Sequence, residues 1–155
     1  MEQTPMVLDI QGIKACQENR YPCLFVDKIV EAIPGVSAKG YKNFTYNEWF
    51  FPAHFEDEAS VPGFIQVECL VQVFIMSFLT LPEYQGKKTN FASLDHVKFR
   101  HKIEPGDRLD IETTLLSLKR GVAKGHAESF VDGVPACSAD FVVTIPDIFE
   151  KYKPR

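Results

Sequence analysis

No two cysteines in this 155-residue chain form a Cys-x-x-Cys pair, and Cys16, Cys23, Cys69 and Cys137 share no zinc-like spacing. That excludes a disulfide framework and a structural zinc as organising devices, and reduced thiols in a cytoplasmic protein are expected. His96, His101 and His126 fall in strand-like runs at no metal-ligand spacing, so no metal is assigned. A Gly-rich phosphate loop, a Gly-x-Ser-x-Gly elbow and a Walker pattern are all missing, which leaves no signal for a bound cofactor. Excess positive charge is missing too: the net charge of −4 argues against nucleic-acid binding. Met1 to Pro5 has neither a basic start nor an apolar run, so no secretion signal is expected. There are no repeats, low-complexity tracts or linkers, and the length suits one domain with its own core.

What is present is an unusually apolar stretch over 62–80 with one carboxylate, Glu68, in its middle. The β-branched residues Ile65, Val67, Val71, Val73 and Ile75 favour strand, but strands rarely exceed ~10 residues. Length therefore predicts a helix, begun by Pro62 at its first position and closed before Leu81-Pro82. A membrane span would need ~20 apolar residues and would place a carboxylate at mid-bilayer for roughly 3 kcal/mol, so membrane insertion is not expected. A helix apolar on all sides must be covered on all sides. One sheet wraps only one side, which predicts that a second copy of the chain supplies the other.

Around this helix the chain reads in order. A short helix is predicted over 8–17 and extended chain over 23–33. Pro34-Gly35 turns into a second strand over 36–44, closing a hairpin over 27–43. Residues 45–60 are irregular, and a loop that long tends to be functional. Four strands follow over 89–99, 107–119, 122–131 and 134–144, read as an antiparallel meander. Asp132-Gly133 is the strongest hairpin signal among them, since both positions tolerate the positive φ of a type I′ turn. The class is α+β: one domain over 1–155, with an N-terminal segment over 1–19 and a loose tail over 147–155.

Charge is unevenly placed. Residues 84–124 hold nine Lys/Arg against five Asp/Glu, and the remainder eight against sixteen. This basic middle fits an acidic partner or, equally, solvated strand faces.

Four residues are candidates for chemistry. An unpaired charge inside an apolar helix is costly, so Glu68 is neutral, paired or functional. Gln72, four residues on, projects from the same helical face and could orient it; a structural Glu–Gln hydrogen bond is the plainer alternative. His54, between Trp49-Phe50-Phe51 and Glu56-Asp57-Glu58, is a candidate base or a structural histidine. Gly63 opens the helix, where free N–H groups and the positive dipole end suit an oxyanion; a simple Pro-Gly helix start is the alternative.

An ordered series of residues resembles the (3R)-hydroxyacyl-[acyl-carrier-protein] dehydratases of fatty-acid synthesis. It comprises Arg20-Tyr21-Pro22, Val26-Asp27, Asn43, Asn47-Glu48, Phe50-Phe51 and His54-Phe55. It continues with Pro62-Gly63, Glu68, Gln72, Phe99, Pro105-Gly106-Asp107 and Asp132-Gly133. The resemblance implies a hot-dog fold: a long central helix wrapped by an antiparallel sheet, dimerising through the sheet. It further implies catalytic His54 and Glu68 facing each other across two subunits, with Gly63 as oxyanion donor and Gln72 as orienting residue. Hexamers built from three dimers, an acyl-carrier protein as partner, and no metal or cofactor are also implied. Ala53, Glu56 and Ala59-Ser60-Val61 depart from the family pattern; Ala53 fits poorly if that backbone needs positive φ. A hot-dog thioesterase or a non-catalytic acyl-binding protein would use the same scaffold.

Overall fold

A computed structural model describes residues 3–155; Met1 and Glu2, the start of the expected N-terminal segment, lie outside the described residues. The elements are β1 (Met6–Leu8), α1 (Ile10–Cys16), β2 (Lys28–Ile33), β3 (Ser37–Asn43), α2 (Gly63–Leu79), β4 (Asn90–Phe99), β5 (Arg108–Lys119), β6 (Val122–Val131), β7 (Val134–Thr144) and α3 (Pro146–Phe149). Seven strands form one antiparallel sheet in the order β1-β2-β3-β5-β6-β7-β4, wrapped around α2.

Turn chemistry sets the hairpins as the sequence predicts. Asp132 and Gly133 both take positive φ (49° and 78°) between β6 and β7, and Arg120 and Gly121 do the same (53° and 76°) between β5 and β6. The β2–β3 hairpin pairs Lys28 with Tyr41 and Ile33 with Ser37. Before Lys28 the chain keeps one backbone bond to β3, from the Asp27 N–H to the Tyr41 carbonyl at 3.0 Å, and β2 is shorter than the extended run expected. β1 was not anticipated; three residues are too few to show alternation.

Three expectations need correction. The last four strands are not a plain meander: β5, β6 and β7 follow one another, but β4 lies beyond β7 at the sheet edge. The tail is not loose through its length, because Pro146–Phe149 is helical and continues into a 3₁₀ turn over Glu150–Tyr152. It docks on the β5–β6 turn, where a Cβ on Gly121 would fall 2.6 Å from the Phe149 nitrogen. Finally, the far side of α2 is covered by its own chain. Gln17 Nε2 donates to the Gln72 carbonyl, the Phe25 N–H donates to Gln72 Oε1 and Gln66 Nε2 donates to the Val61 carbonyl, while Phe44, Phe50 and Phe51 join the same buried core. Burial of the helix alone therefore does not demand a second copy.

α2 begins one residue later than expected, with Pro62 as N-cap in an extended conformation (ψ 147°). It sits close on the sheet because two strand glycines admit it. A Cβ on Gly125 would lie 2.1 Å from the Phe74 ring, and one on Gly40 would lie 3.3 Å from Val73. Every residue of α2 is buried except Gly63, Phe64 and Glu68. Cys69 is fully enclosed, and burial pushes its thiol well above the ordinary range. No helix among the described residues is long and apolar enough to cross a membrane.

The outer face of the sheet carries a charged cluster. Nδ1 of His96 (β4) and Nδ1 of His126 (β6) lie 2.8 and 2.6 Å from the two oxygens of Asp140 (β7). Burial disfavours the charged His126 ring, but its hydrogen bonds to Asp140 and Glu128 outweigh that and hold its pKa above the ordinary histidine value. The His126 bond in turn holds Asp140 below the ordinary aspartate value. The His126 contribution to stability is complete below the ordinary imidazole pKa and is lost as pH rises through the raised one. The Asp140 contribution is complete above the ordinary aspartate pKa and is lost as pH falls through the depressed one. Raising pH from about 6 to about 9 should therefore lower the melting temperature modestly, the groups being solvent-screened, and by less in His126→Gln. Superimposable profiles for the two proteins would disprove the linkage.

Candidate active site

The opening in the cover of α2 lies at its first turns, and an apolar cavity of about 630 Å³ begins there. Gly63, Phe64 and Glu68 form its helical wall; Cys23 and Phe25 come from the segment before β2, and Trp49 from the long loop. Phe91, Leu94, Val97 and Phe99 of β4 close the far side. Register shifts between Phe91 and Ser93 and between Asp95 and Lys98 break strict alternation, which lets both Leu94 and Val97 face the cavity. Two smaller cavities continue along α2. One of about 190 Å³ shares Glu68 and Phe91 with the first; the next, of about 280 Å³, shares Ile75 and Asn90 with the second.

Glu68 is half-buried and oriented by Gln72. The fully buried Gln72 amide makes three hydrogen bonds: Oε1 accepts from the Phe25 N–H at 2.8 Å, and Nε2 donates to the Cys23 carbonyl at 2.6 Å and to Glu68 Oε1 at 2.9 Å. Because the Phe25 N–H can only donate, the amide cannot flip, and Glu68 Oε1 must act as acceptor. A proton on this carboxyl therefore belongs on Oε2.

His54 stands on the irregular loop, whose aromatic anchors Phe50 and Phe51 are in the core while Trp49 is exposed at the cavity. Its ring stacks on Phe55, with centroids 4.3 Å apart. Nδ1 lies 3.2 Å from both the Ser60 carbonyl oxygen and Ser60 Oγ. A carbonyl only accepts, so the neutral ring keeps its proton on Nδ1 and presents Nε2 as a base. Ala53 does not take positive φ, so the backbone there does not call for glycine. Within the acidic run, the Glu58 carboxylate bonds Lys102 at 2.6 Å, and that bond holds its pKa below the usual carboxylate value.

The structure brings Glu68, Gln72 and Gly63 together, but within one chain it does not bring His54 to them: its ring bonds Ser60, and the cavity at Glu68 is walled without it. Gly63 also has a packing reason to lack a side chain, since a Cβ there would lie 2.9 Å from the Phe99 ring. The contribution of β4 to the cavity escaped sequence reasoning, because nothing local shows which strand it joins. No group of His, Cys, Asp and Glu among the described residues could hold a metal ion.

A family model for the FabA-like domain matches residues 18–140. The chain belongs to this family. Among FabA-like relatives, a protein of Clostridium novyi named 3-hydroxyacyl-[acyl-carrier-protein] dehydratase FabZ is 39% identical over 90% of this chain and 99% of its own length. A Clostridium botulinum protein of the same name is 42% identical over 89% and 96%. Among solved structures, the dehydratase heterocomplex ApeI:P of Xenorhabdus doucetiae superposes with a TM-score of 0.75 over 86% of this chain and 90% of that one, at 12% identity. That likeness speaks for the fold alone, which is the hot-dog fold expected of a FabA-like chain.

Proposed function

We propose that this chain removes water from (3R)-3-hydroxyacyl thioesters on an acyl-carrier protein, giving trans-2-enoyl thioesters in fatty-acid or related lipid synthesis. The observation that carries this reading is Glu68. It is the sole charged group on a buried helix, it faces an apolar cavity large enough for an acyl chain, and its amide partner leaves one oxygen free to hold a proton. The identity of full-length relatives named for this reaction supports it.

In the proposed mechanism, Nε2 of His54 takes a proton from C2, the C3–oxygen bond breaks, and Oε2–H of Glu68 protonates the departing hydroxyl to water. The electron pair left at C2 becomes the C2–C3 double bond. The Gly63 N–H at the helix start stabilises charge on the thioester oxygen. His54 and Glu68 come from different copies in this reading. β4 is an unpaired edge of ten residues with Phe91, Leu94 and Phe99 exposed, and a long apolar edge of that kind calls for a partner strand. Pairing two β4 edges makes a dimer, and three such pairs a hexamer. Arg100 lines a cleft that shares Gly63 and Phe99 with the cavity, and gives an acidic carrier protein a place to dock. Four free cysteines suit the cytoplasm.

The test is absorbance of the enoyl product formed from 3-hydroxyacyl carrier-protein substrates of graded length, run beside an assay for thiol release. Enoyl product without thiol is the expected result. Thiol release with free acid would identify a thioesterase instead, and binding without turnover a non-catalytic acyl-binding protein.

A further inference from the structure

One residue supplies both polar partners of the His54 ring. The Ser60 carbonyl oxygen and Ser60 Oγ each lie 3.2 Å from Nδ1, and among the described residues no carboxylate bonds the imidazole. The same residue also grips the His54 backbone: its N–H donates to the His54 carbonyl oxygen at 2.9 Å, and Oγ lies 3.3 Å from that oxygen. The Phe55 stack holds the plane of the ring but does not distinguish one nitrogen from the other. Which nitrogen carries the proton is therefore settled by Ser60.

A hydroxyl has one proton and two lone pairs. The Ser60 carbonyl already calls for a proton on Nδ1, so the hydroxyl turns its own proton to the His54 carbonyl oxygen. A lone pair of Oγ then faces Nδ1–H, which is shared between two oxygens as a three-centre bond. At 3.2 Å each contact is at the long end of the N–H···O range, so neither oxygen alone holds the proton firmly. Resting on the dehydratase reading, we propose that Ser60 is a positioning residue whose hydroxyl keeps the proton on Nδ1 and the lone pair on Nε2. When Nε2 takes the C2 proton the ring becomes a cation, and the shared Nδ1–H bond becomes charge-assisted. Oγ sits at the Nδ1 edge while substrate meets the ring at Nε2, so the hydroxyl acts on the step and not on substrate binding.

Ser60→Ala removes the hydroxyl and keeps both backbone bonds of the residue to His54. On the 3-hydroxybutyryl carrier-protein thioester it should lower kcat about ten-fold with KM unchanged, the effect of one hydrogen bond to a charged group. The NMR spectrum of the imidazole nitrogens at about pH 9, where an ordinary imidazole is neutral, gives a second readout. His54, the signal missing from His54→Ala, should be protonated on Nδ1 in the wild type and a mixture of tautomers in Ser60→Ala. Ser60→Thr keeps the hydroxyl and should restore both the rate and the spectrum. An unchanged kcat in Ser60→Ala, a tautomer unmoved by that substitution, or a Ser60→Thr protein that recovers neither overturns the proposal. The spectrum needs no turnover, which separates the two readings. If it changes as expected while even the wild type forms no enoyl product, the dehydratase reading falls and the hold of Ser60 on His54 stands. If the wild type forms product and the spectrum does not move, the Ser60 assignment alone falls.

Discussion

Mixing two inactive variants should restore turnover. His54→Ala and Glu68→Gln are each expected to lose at least about 10³-fold in kcat, since each removes one partner of a proton-transfer pair. Neither should unfold the protein: the His54 ring is part-buried on a loop, and Gln at position 68 keeps an oxygen to accept from Gln72. After the two are unfolded and refolded together, half the dimers pair one of each. In every such dimer one site has its intact histidine from one subunit and its intact glutamate from the other. Recovery of about a quarter of wild-type activity is therefore expected from a two-fold dimer. If each chain carried both groups of its own site, mixing would restore nothing, and that result would refute the cross-subunit arrangement while leaving the single-variant losses intact.

The second large effect concerns stability. Gly125→Ala should cost about 3 kcal/mol or more, at the upper end for overpacking. The added methyl would lie 2.1 Å from the Phe74 ring and 2.5 Å from the Thr114 carbonyl oxygen, so neither α2 nor the β5–β6 pairing can yield cheaply. By contrast, Gly133→Ala adds a methyl to open space and suffers only the backbone penalty of its positive φ. Urea unfolding of both variants checks this. A Gly125→Ala midpoint within experimental error of the wild type would show that the helix does not press on the sheet there.

The departures from the family pattern differ in effect: Ser60 Oγ lies 3.2 Å from Nδ1 of His54 and so touches the candidate base directly. Ala53 does not take positive φ, and Glu58 of the acidic run pairs with Lys102. Neither disturbs the bonds that hold His54 or Glu68.

By itself the sequence determined the elements whose causes are local. The length and apolarity of 62–80 made a helix, Asp132-Gly133 made a hairpin, and the spacing of Glu68 and Gln72 put carboxyl and amide on one helical face. Those features depend on residues within a turn or two of each other. Only the tertiary structure decided that β4 crosses to the edge beside β7, that the segment around Cys23 and Phe25 locks Gln72, and that Phe44, Phe50 and Phe51 join the core that buries the helix. Strand partners and helix cover are chosen by the total burial and hydrogen bonding of the whole chain, to which distant segments contribute together. For the same reason the sequence could not show that one chain by itself buries all of α2 but Gly63, Phe64 and Glu68. The exposure of the β4 edge likewise depends on a strand order that no local pattern encodes.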